Sequence, residues 1–326
     1  MAWKKTLIAV AAACMSAAAA QAAFYPLWLE PLKSEDAGIQ TAAGTMDSRR
    51  GTAESLKRLR FCIENYPSSP YRPWYALQLA NGLYELNEPD AAISWYQLLE
   101  ALPDDTVFAE VPGFSDLDAA RTEARLGLAR SYTAKNDTRR AVLAMSRVLP
   151  RDDADRVLMA ELQLLHNRRQ SAIDLANATA GTQIADPALR LRLGLLYRNL
   201  RYYNQAEAIF KSLADSDDPV VKSQAAQMFK LVQLPTPSNL IDGVYDGSCA
   251  SDGGLLELKV KISGGKVAGV TFTSFPLKGS GAAYESLPRR LSARGQAFCD
   301  PVYNADRQSA AVFVAVADAV GKARRN

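Results

Sequence analysis

The sequence predicts a mainly α-helical protein in which a solenoid of helical hairpins is followed by a small α+β domain. Two observations lead to this fold class. Helical periodicity with small residues at a fixed spacing runs over residues 45–233. Beyond it the composition changes, because 11 of the 19 glycines lie in the last 90 residues.

Composition excludes several classes of protein. The chain has 326 residues, of which 48% are hydrophobic and 22% charged, which is typical of a globular protein and not of a disordered, collagenous or polytopic membrane protein. Its single histidine, His166, excludes multi-histidine metal sites. His166 lies at a solvated turn with no serine or cysteine nucleophile nearby in sequence, so we assign it no catalytic role. No metal-binding or phosphate-loop motif is present in the sequence.

The N-terminus predicts export. Lys4 and Lys5 precede an apolar run over residues 7–20, and Ala22 ends a small-x-small motif, so residues 1–22 form a predicted signal peptide. Cleavage would place the protein in the periplasm without a transmembrane span. The alternatives are a retained membrane anchor and a lipoprotein attached through Cys14. Loss of the two lysines lowers the net charge from +3 to +1, which does not favour nucleic-acid binding.

After a lead-in segment, residues 23–44, comes a series of helical hairpins. An alanine opens the second helix of each pair, at spacings of 49, 31 and 34 residues: Ala92, Ala141, Ala172 and Ala206. Twelve residues before each stands another small residue: Ala80, Ala129, Ala160 and Gly194. Since helices cross closely only where both present small side chains, these positions predict the contact point of each hairpin.

This pattern resembles tetratricopeptide repeats, whose period is about 34 residues. Residues 191–219 match best, with Gly194, Tyr197, Ala206 and Phe210 in the order of the family. The resemblance implies a curved stack whose concave wall is made by the first helices and holds a protein or peptide partner. Six residues are the predicted partner contacts: Trp74, Asn81, Tyr84, Arg130, Arg198 and Asn199. They can equally be ordinary solvated or interhelix residues.

Prolines at 235 and 237 end the repeats, and residues 234–240 form a predicted linker to a domain over residues 241–326. Alternation and β-branching predict three strands in a meander, at residues 243–250, 254–263 and 266–275. The pair Gly264 and Gly265 suits a two-residue hairpin because both can adopt positive φ. Helices are predicted over residues 282–294 and 307–323.

Asp242, Gly243, Tyr245 and Gly247 give this domain an opening that resembles the small FMN-binding domain. That domain occurs in the C and G subunits of ion-pumping NADH:quinone and ferredoxin oxidoreductases. The family ends with a motif that opens the last helix and holds the FMN phosphate there, in many members through a phosphothreonyl bond. The resemblance implies cofactor contacts at Tyr245, Gly247, Asp300, Asn304, Ala305, Asp306, Arg307, Gln308 and Ser309.

The closing motif departs from the family at the residue that carries flavin. Asp306 stands in place of the threonine, and a carboxylate neither forms the covalent bond nor tolerates a phosphate dianion nearby. We therefore expect any FMN to be noncovalent. Asp306 is predicted to cap the helix that begins at Arg307. The family fold also implies that Cys249 and Cys299 lie close together and form a disulfide, whereas Cys62 is expected to be a buried thiol.

Two hypotheses for the function follow. The chain is an exported scaffold that docks a protein partner and retains a degenerate flavin-like domain, or it is a noncovalent FMN protein that passes electrons while its repeats hold a redox partner. A hydrolytic enzyme is not favoured, since no nucleophile, base and orienting group can be assembled from the sequence.

Overall fold

The computed structural model of the chain describes residues 49–111, 113–234, 240–276, 281–303 and 305–324. The predicted signal peptide, residues 1–22, and the lead-in segment, residues 23–44, lie outside these ranges. So do Asn304 and residues 235–239 of the predicted linker.

The first part of the described chain is helical, as the sequence predicts. Ten helices follow one another: α1 (Arg49–Asn65), α2 (Arg72–Glu85), α3 (Pro89–Glu100), α4 (Leu117–Ala134), α5 (Thr138–Met145), α6 (Asp153–Leu165), α7 (Arg169–Ala180), α8 (Pro187–Asn199), α9 (Tyr203–Ser212) and α10 (Pro219–Lys230). Asp116, Asp152 and Asp218 each accept a backbone hydrogen bond at the start of a helix, which fixes where α4, α6 and α10 begin.

Consecutive helices form hairpins that meet at the predicted small residues. Seven of these residues are fully buried: Ala80, Ala92, Ala129, Ala141, Ala160, Ala172 and Ala206. At the eighth, Gly194, a β-carbon would lie 2.6 Å from the ring of Phe210, so only glycine lets α8 and α9 approach this closely.

The four hairpins share one turn. Asn87, Asn136, Asn167 and Arg201 have positive φ angles between 57° and 67°, and they follow one another at the same spacing as the helix-opening alanines. In each turn the next residue donates its N–H to the carbonyl five residues back, as from Glu88 to Leu83 at 2.9 Å. This left-handed turn satisfies the last carbonyls of the first helix and sends the chain back along it.

The C-terminal part is an α+β unit. Strands β1 (Gly243–Ser251), β2 (Gly254–Ser263) and β3 (Lys266–Ser274) form an antiparallel sheet in the order β1-β2-β3. Gly264 and Gly265 have φ angles of 58° and 71° and make the turn between β2 and β3, which confirms the predicted hairpin. Two helices complete the unit, α11 (Gly281–Arg294) and α12 (Asp306–Lys322).

The sheet buries one face against α12, which also packs against α8 and α10 of the helical part. On β2, Leu256, Leu258, Val260 and Ile262 are buried, while the alternate residues are exposed. Helix α11 packs on β3 and on α1. One hydrophobic core therefore runs from α6 through α10 into the sheet and α12, so the helical part and the α+β unit are held together. Within the described ranges, no helix combines the length and the apolar composition that a membrane span requires.

Candidate functional site

A buried cluster of charged side chains lies where the α+β unit meets the first helices of two hairpins. Tyr84 and Glu85 end α2, and Arg130 lies on α4. From the other side come Arg290 on α11 and Asp300 in residues 299–303, which we call the closing segment. Four of these side chains are buried, and that of Arg290 is only 9% exposed.

Asp300 is held from both sides of the interface. Its Oδ2 accepts a hydrogen bond of 2.7 Å from the Tyr84 hydroxyl. The same oxygen lies 3.4 Å from Nε of Arg130 and 3.3 Å from Nη1 of Arg290. Arg130 also donates to the carbonyl of Pro301 at 2.7 Å, so that α4 binds both the side chain and the backbone of the closing segment.

Glu85 is the second carboxylate of the cluster. Arg290 donates to its Oε2 at 2.6 Å and Arg130 to its Oε1 at 3.2 Å. Both guanidinium groups also lie over the ring of Tyr84, with their central carbons 4.7 Å (Arg130) and 4.5 Å (Arg290) from its centroid. Each of the two cations contacts both carboxylates, which balances charge in a region that is almost closed to solvent.

The ionisation of the cluster follows from this balance. Burial acts against the charged form of Asp300, but Arg290 and Arg130 outweigh it, so the pKa of this carboxyl lies below its usual value. Burial alone would lower the pKa of Arg130, yet Tyr84, Glu85 and Asp300 raise it. Burial raises the pKa of Tyr84 well above that of a free phenol, so its hydroxyl stays protonated and acts as a donor. The arrangement is a fixed set of ion pairs.

The predicted partner contacts are therefore mostly covered by the chain itself. Asn81, Tyr84 and Arg130 are buried beneath the closing segment or beside it, and Arg198 is buried with its Nε donating to the carbonyl of Leu231 at 2.8 Å. These four side chains are thus not exposed to a partner in this structure, because the α+β unit and α10 pack against them; they correspond to the interhelix alternative that the sequence left open. Of the six, Trp74 and Asn199 are partly exposed.

The predicted cofactor contacts on β1 have structural roles. Gly247 is buried against α12, where a β-carbon would collide with the carbonyl oxygen of Ala315 and lie 3.0 Å from Cβ of Ala319. Glycine is thus required for the close approach of the strand and the helix. The hydroxyl of Tyr245 donates to the carbonyl of Ile241 at 2.9 Å and so fixes the start of the same strand.

Asp306 does not cap the last helix as predicted. The helix begins at Asp306 itself, and Ala305 occupies the capping position without a side-chain hydrogen bond among the described residues. The carboxylate of Asp306 instead lies 2.8 Å from Nη1 of Arg192 on α8. Arg192 is buried and is also bound by Glu161 at 2.7 Å. An ion pair with the helical part replaces the expected local cap.

Arg307 and Ser309, at the start of α12, also bind groups of this chain. Arg307 donates to Asp218 at 2.5 Å and to Asp252 at 2.6 Å. The Ser309 hydroxyl accepts the backbone N–H of Val302 at 2.9 Å. Ala305 is buried, Gln308 is partly buried, and Asn304 lies outside the described residues.

These contacts do not fit an FMN phosphate at the start of α12. A dianion there would face the carboxylate of Asp306 and would compete with two carboxylates for Arg307. The cavity that Arg307 lines, at about 10 Å³, has room for about one water molecule and not for a phosphate group. We therefore derive no flavin chemistry from this end of the domain.

Cys249, Cys299 and His166 have different surroundings from those expected, whereas Cys62 does not. Cys249 and Cys299 are buried free thiols, so the structure does not contain the predicted disulfide. Cys249 faces Gln224 of α10, while Cys299 lies beside the ion-pair cluster. Cys62 is a buried free thiol, as predicted. His166 is partly buried rather than solvated, with its ring nitrogens 2.7 Å from Thr133 Oγ1 and 3.1 Å from Thr138 Oγ1.

Sequence reasoning missed Glu85 and Arg290. Neither belongs to a motif, and Glu85 reaches its partner across 205 residues of chain. In the described part of the chain no cluster of histidine, cysteine, aspartate or glutamate has the arrangement of a metal site. Comparison of the chain with protein-family models, with curated proteins and with solved structures finds no match.

Proposed function

We propose that the chain is an exported, periplasmic scaffold protein of the tetratricopeptide type that docks a protein partner. Its C-terminal domain resembles the FMN-binding domain but acts as a structural part of the scaffold. The four hairpins with one shared turn and one shared small-residue contact support the repeat interpretation.

One observation carries the proposal. The polar groups of Asp300, Asp306, Arg307 and Ser309, where a flavin phosphate would be expected, make ion pairs or hydrogen bonds within this chain. Asp300 and Asp306 bind arginines of the repeat helices. The motif residues thus join two parts of one protein, which is the role of a structural module and not of a cofactor carrier.

A partner then docks on the part of the repeats that the closing segment leaves open. Trp74 and Asn199 are the predicted contacts that remain partly exposed. The ring of Trp74 lies 6.3 Å from those of Tyr71 and Tyr75, which forms an aromatic cluster at the start of α2. Aromatic groups of this kind are common anchors in protein interfaces.

Titration of the purified protein with FMN tests the proposal against an electron-transfer protein. A scaffold leaves the fluorescence and the visible absorption of FMN unchanged, whereas quenching with a shifted absorption band would establish a noncovalent flavoprotein and overturn the proposal.

Partner docking needs its own experiment in cells. A photocrosslinking residue in place of Trp74 should capture a defined protein, while the same residue in place of Leu143, which is 52% exposed on the outer helix α5, should not. Equal capture at both positions would contradict docking near Trp74. Export is checked by N-terminal sequencing of the protein from the periplasmic fraction, which should begin at Ala23.

A further inference from the structure

The turns inside the helical hairpins lie side by side along one edge of the repeats. The ring of His166, in the third turn, contacts Thr133 and Thr138 on either side of the second turn at 2.7 Å and 3.1 Å. Arg169, directly after the third turn, donates to the carbonyl of Leu200 in the fourth. The last three turns therefore form a continuous surface.

This surface carries a row of exposed cations. Residues 135–140, 166–169 and 200–203 contain six lysines and arginines and one carboxylate, a formal charge of +5 with the histidine neutral. All six cations are exposed, and we call them the basic edge: Lys135, Arg139, Arg140, Arg168, Arg169 and Arg201. Positive charge is thus concentrated on one side of a chain whose net charge is only +3.

Half of the basic edge is free to meet an anion. Lys135 pairs with Asp90 of the first turn. Arg140 pairs with Asp137, and Arg169 is held by the carbonyl described above. One arginine in or beside each of the last three turns forms no ion pair within the described ranges: Arg139, Arg168 and Arg201.

Arg201 occupies a backbone position that does not favour arginine. Its φ angle is 59°, and the three equivalent positions with similar angles all carry asparagine: Asn87, Asn136 and Asn167. Asparagine adopts this left-handed conformation more readily than residues with long side chains do. A strained residue of this kind indicates that the side chain itself has a role.

The opposite edge of the repeats is acidic. It consists of the loops that join one hairpin to the next, residues 101–116, 146–152, 181–186 and 213–218. These loops contain nine carboxylates and two arginines. An extended anionic surface would attract the basic edge and repel the opposite edge, which would give the chain a fixed orientation.

Aromatic side chains accompany the cations at the fourth turn. Tyr202 and Tyr203 are partly exposed there. Helix α10 ends nearby, because the carbonyl of Leu231, directly after it, accepts a hydrogen bond from Arg198 at 2.8 Å. In the last turn of this helix, Phe229 is 42% exposed. Exposed aromatic groups together with lysine and arginine are typical of surfaces that bind anionic membranes.

We propose that the basic edge docks the chain on a membrane surface rich in anionic phospholipid. Its cations form a row over three hairpins, which suits a flat array of phosphate groups better than one compact anion. Trp74, in the first turn of α2, lies at the opposite edge and stays open to a protein partner. The membrane contact therefore does not depend on the proposed docking of that partner.

Cosedimentation with lipid vesicles tests the proposal. The protein used begins at Ala23, because the apolar run of residues 7–20 would bind vesicles by itself. It should bind vesicles of phosphatidylcholine with about 30% phosphatidylglycerol but not phosphatidylcholine alone, and about 0.5 M NaCl should release it. Absence of binding to the anionic vesicles, or equal binding to both kinds, would overturn the proposal.

Two matched double variants locate the surface. Arg168→Gln with Arg201→Asn should weaken binding to the anionic vesicles by about tenfold or more, since each basic residue near such a surface contributes about fivefold. Lys211→Gln with Lys222→Gln removes the same charge from exposed lysines near the opposite edge and should bind as the wild type does. All four side chains are exposed, so both variants should fold. Equal weakening by the two would contradict docking through the basic edge.

Sedimentation velocity without vesicles separates membrane docking from the other occupant that the charges allow. A second copy of the chain would place its acidic loops on the basic edge. Salt-sensitive self-association that only the Arg168 and Arg201 variant abolishes, with no vesicle binding, would assign the basic edge to a second copy and overturn the proposal. A monomer that binds the anionic vesicles supports it.

Discussion

The substitution Asp300→Asn removes one negative charge from the buried cluster and keeps the shape of the side chain. In the wild type, Oδ2 accepts from Tyr84 at 2.7 Å and lies 3.4 Å and 3.3 Å from Arg130 and Arg290. The variant leaves two buried guanidinium groups with Glu85 as their nearest remaining carboxylate. We expect a large loss in the free energy of unfolding.

The distances set the size of this loss. Removing one partner of a buried ion pair costs about 3–5 kcal/mol. Because both guanidinium contacts of Asp300 are longer than 3.2 Å and asparagine retains an oxygen for Tyr84, we expect the lower end, about 3 kcal/mol. A typical domain has a total stability of only about 5–15 kcal/mol, so the change is easily measured by urea denaturation.

Asp246→Asn is the matched control. Asp246 pairs with Lys259 at 2.7 Å, but its side chain is 76% exposed, so its substitution should change the free energy of unfolding little. The pKa of Asp300 is lowered in the folded state, so its contribution is present above about pH 4 and is lost as pH falls through the folded pKa. The difference between wild type and Asp300→Asn should therefore shrink in acid. Equal effects of the two substitutions at neutral pH would refute the reasoning.

Three further predictions concern other parts of the chain. Gly247→Ala forces α12 away from β1 and should lower the free energy of unfolding in urea by about 1–3 kcal/mol. Gly269→Ala should change stability little, because its β-carbon would only touch a neighbouring side chain at 3.7 Å. Equal losses for the two substitutions would contradict the close packing at β1. Burial and a nearby arginine lower the pKa of His166 below 6.5. The wild type should therefore lose stability as pH falls from 7 to 5, and His166→Gln should lose less. Parallel plots of unfolding free energy against pH for the two proteins would contradict this. Burial raises the pKa of Cys249 to about 12. Cys249 and Cys299 should therefore resist alkylation in the folded protein and react fully in denaturant without a reductant. Thiols that stay unreactive in denaturant would indicate the disulfide instead.

Local signals in the sequence were sufficient to predict the helical and strand elements. The fixed spacing of Ala92, Ala141 and the other small residues marks helix contacts, because two helices cannot cross closely around large side chains. Gly264 and Gly265 mark the hairpin, because few other residues adopt positive φ at two successive positions. These features depend on residues close together in the chain.

The candidate site depends on contacts that no local pattern contains. Tyr84 and Asp300 are separated by 216 positions in the chain. The residues next to Tyr84 in sequence do not distinguish it from other positions on the first helix of a hairpin. Whether such a residue is exposed is decided by what covers the helix, which helical periodicity does not show. Asp306 shows the same limit, since its local preference is to cap a helix but Arg192 of a distant helix binds its carboxylate.

A double-mutant cycle between Tyr84→Phe and Asp300→Asn tests most directly whether the closing segment is bound to the repeat helices by these side chains. Each single variant and the double variant are unfolded in urea, and the coupling free energy is taken from the four values. A charge-assisted hydrogen bond of 2.7 Å between these side chains predicts a coupling of about 1.5 kcal/mol or more. A coupling near zero would mean that Tyr84 and Asp300 do not meet, and would contradict the structural role proposed for the C-terminal domain.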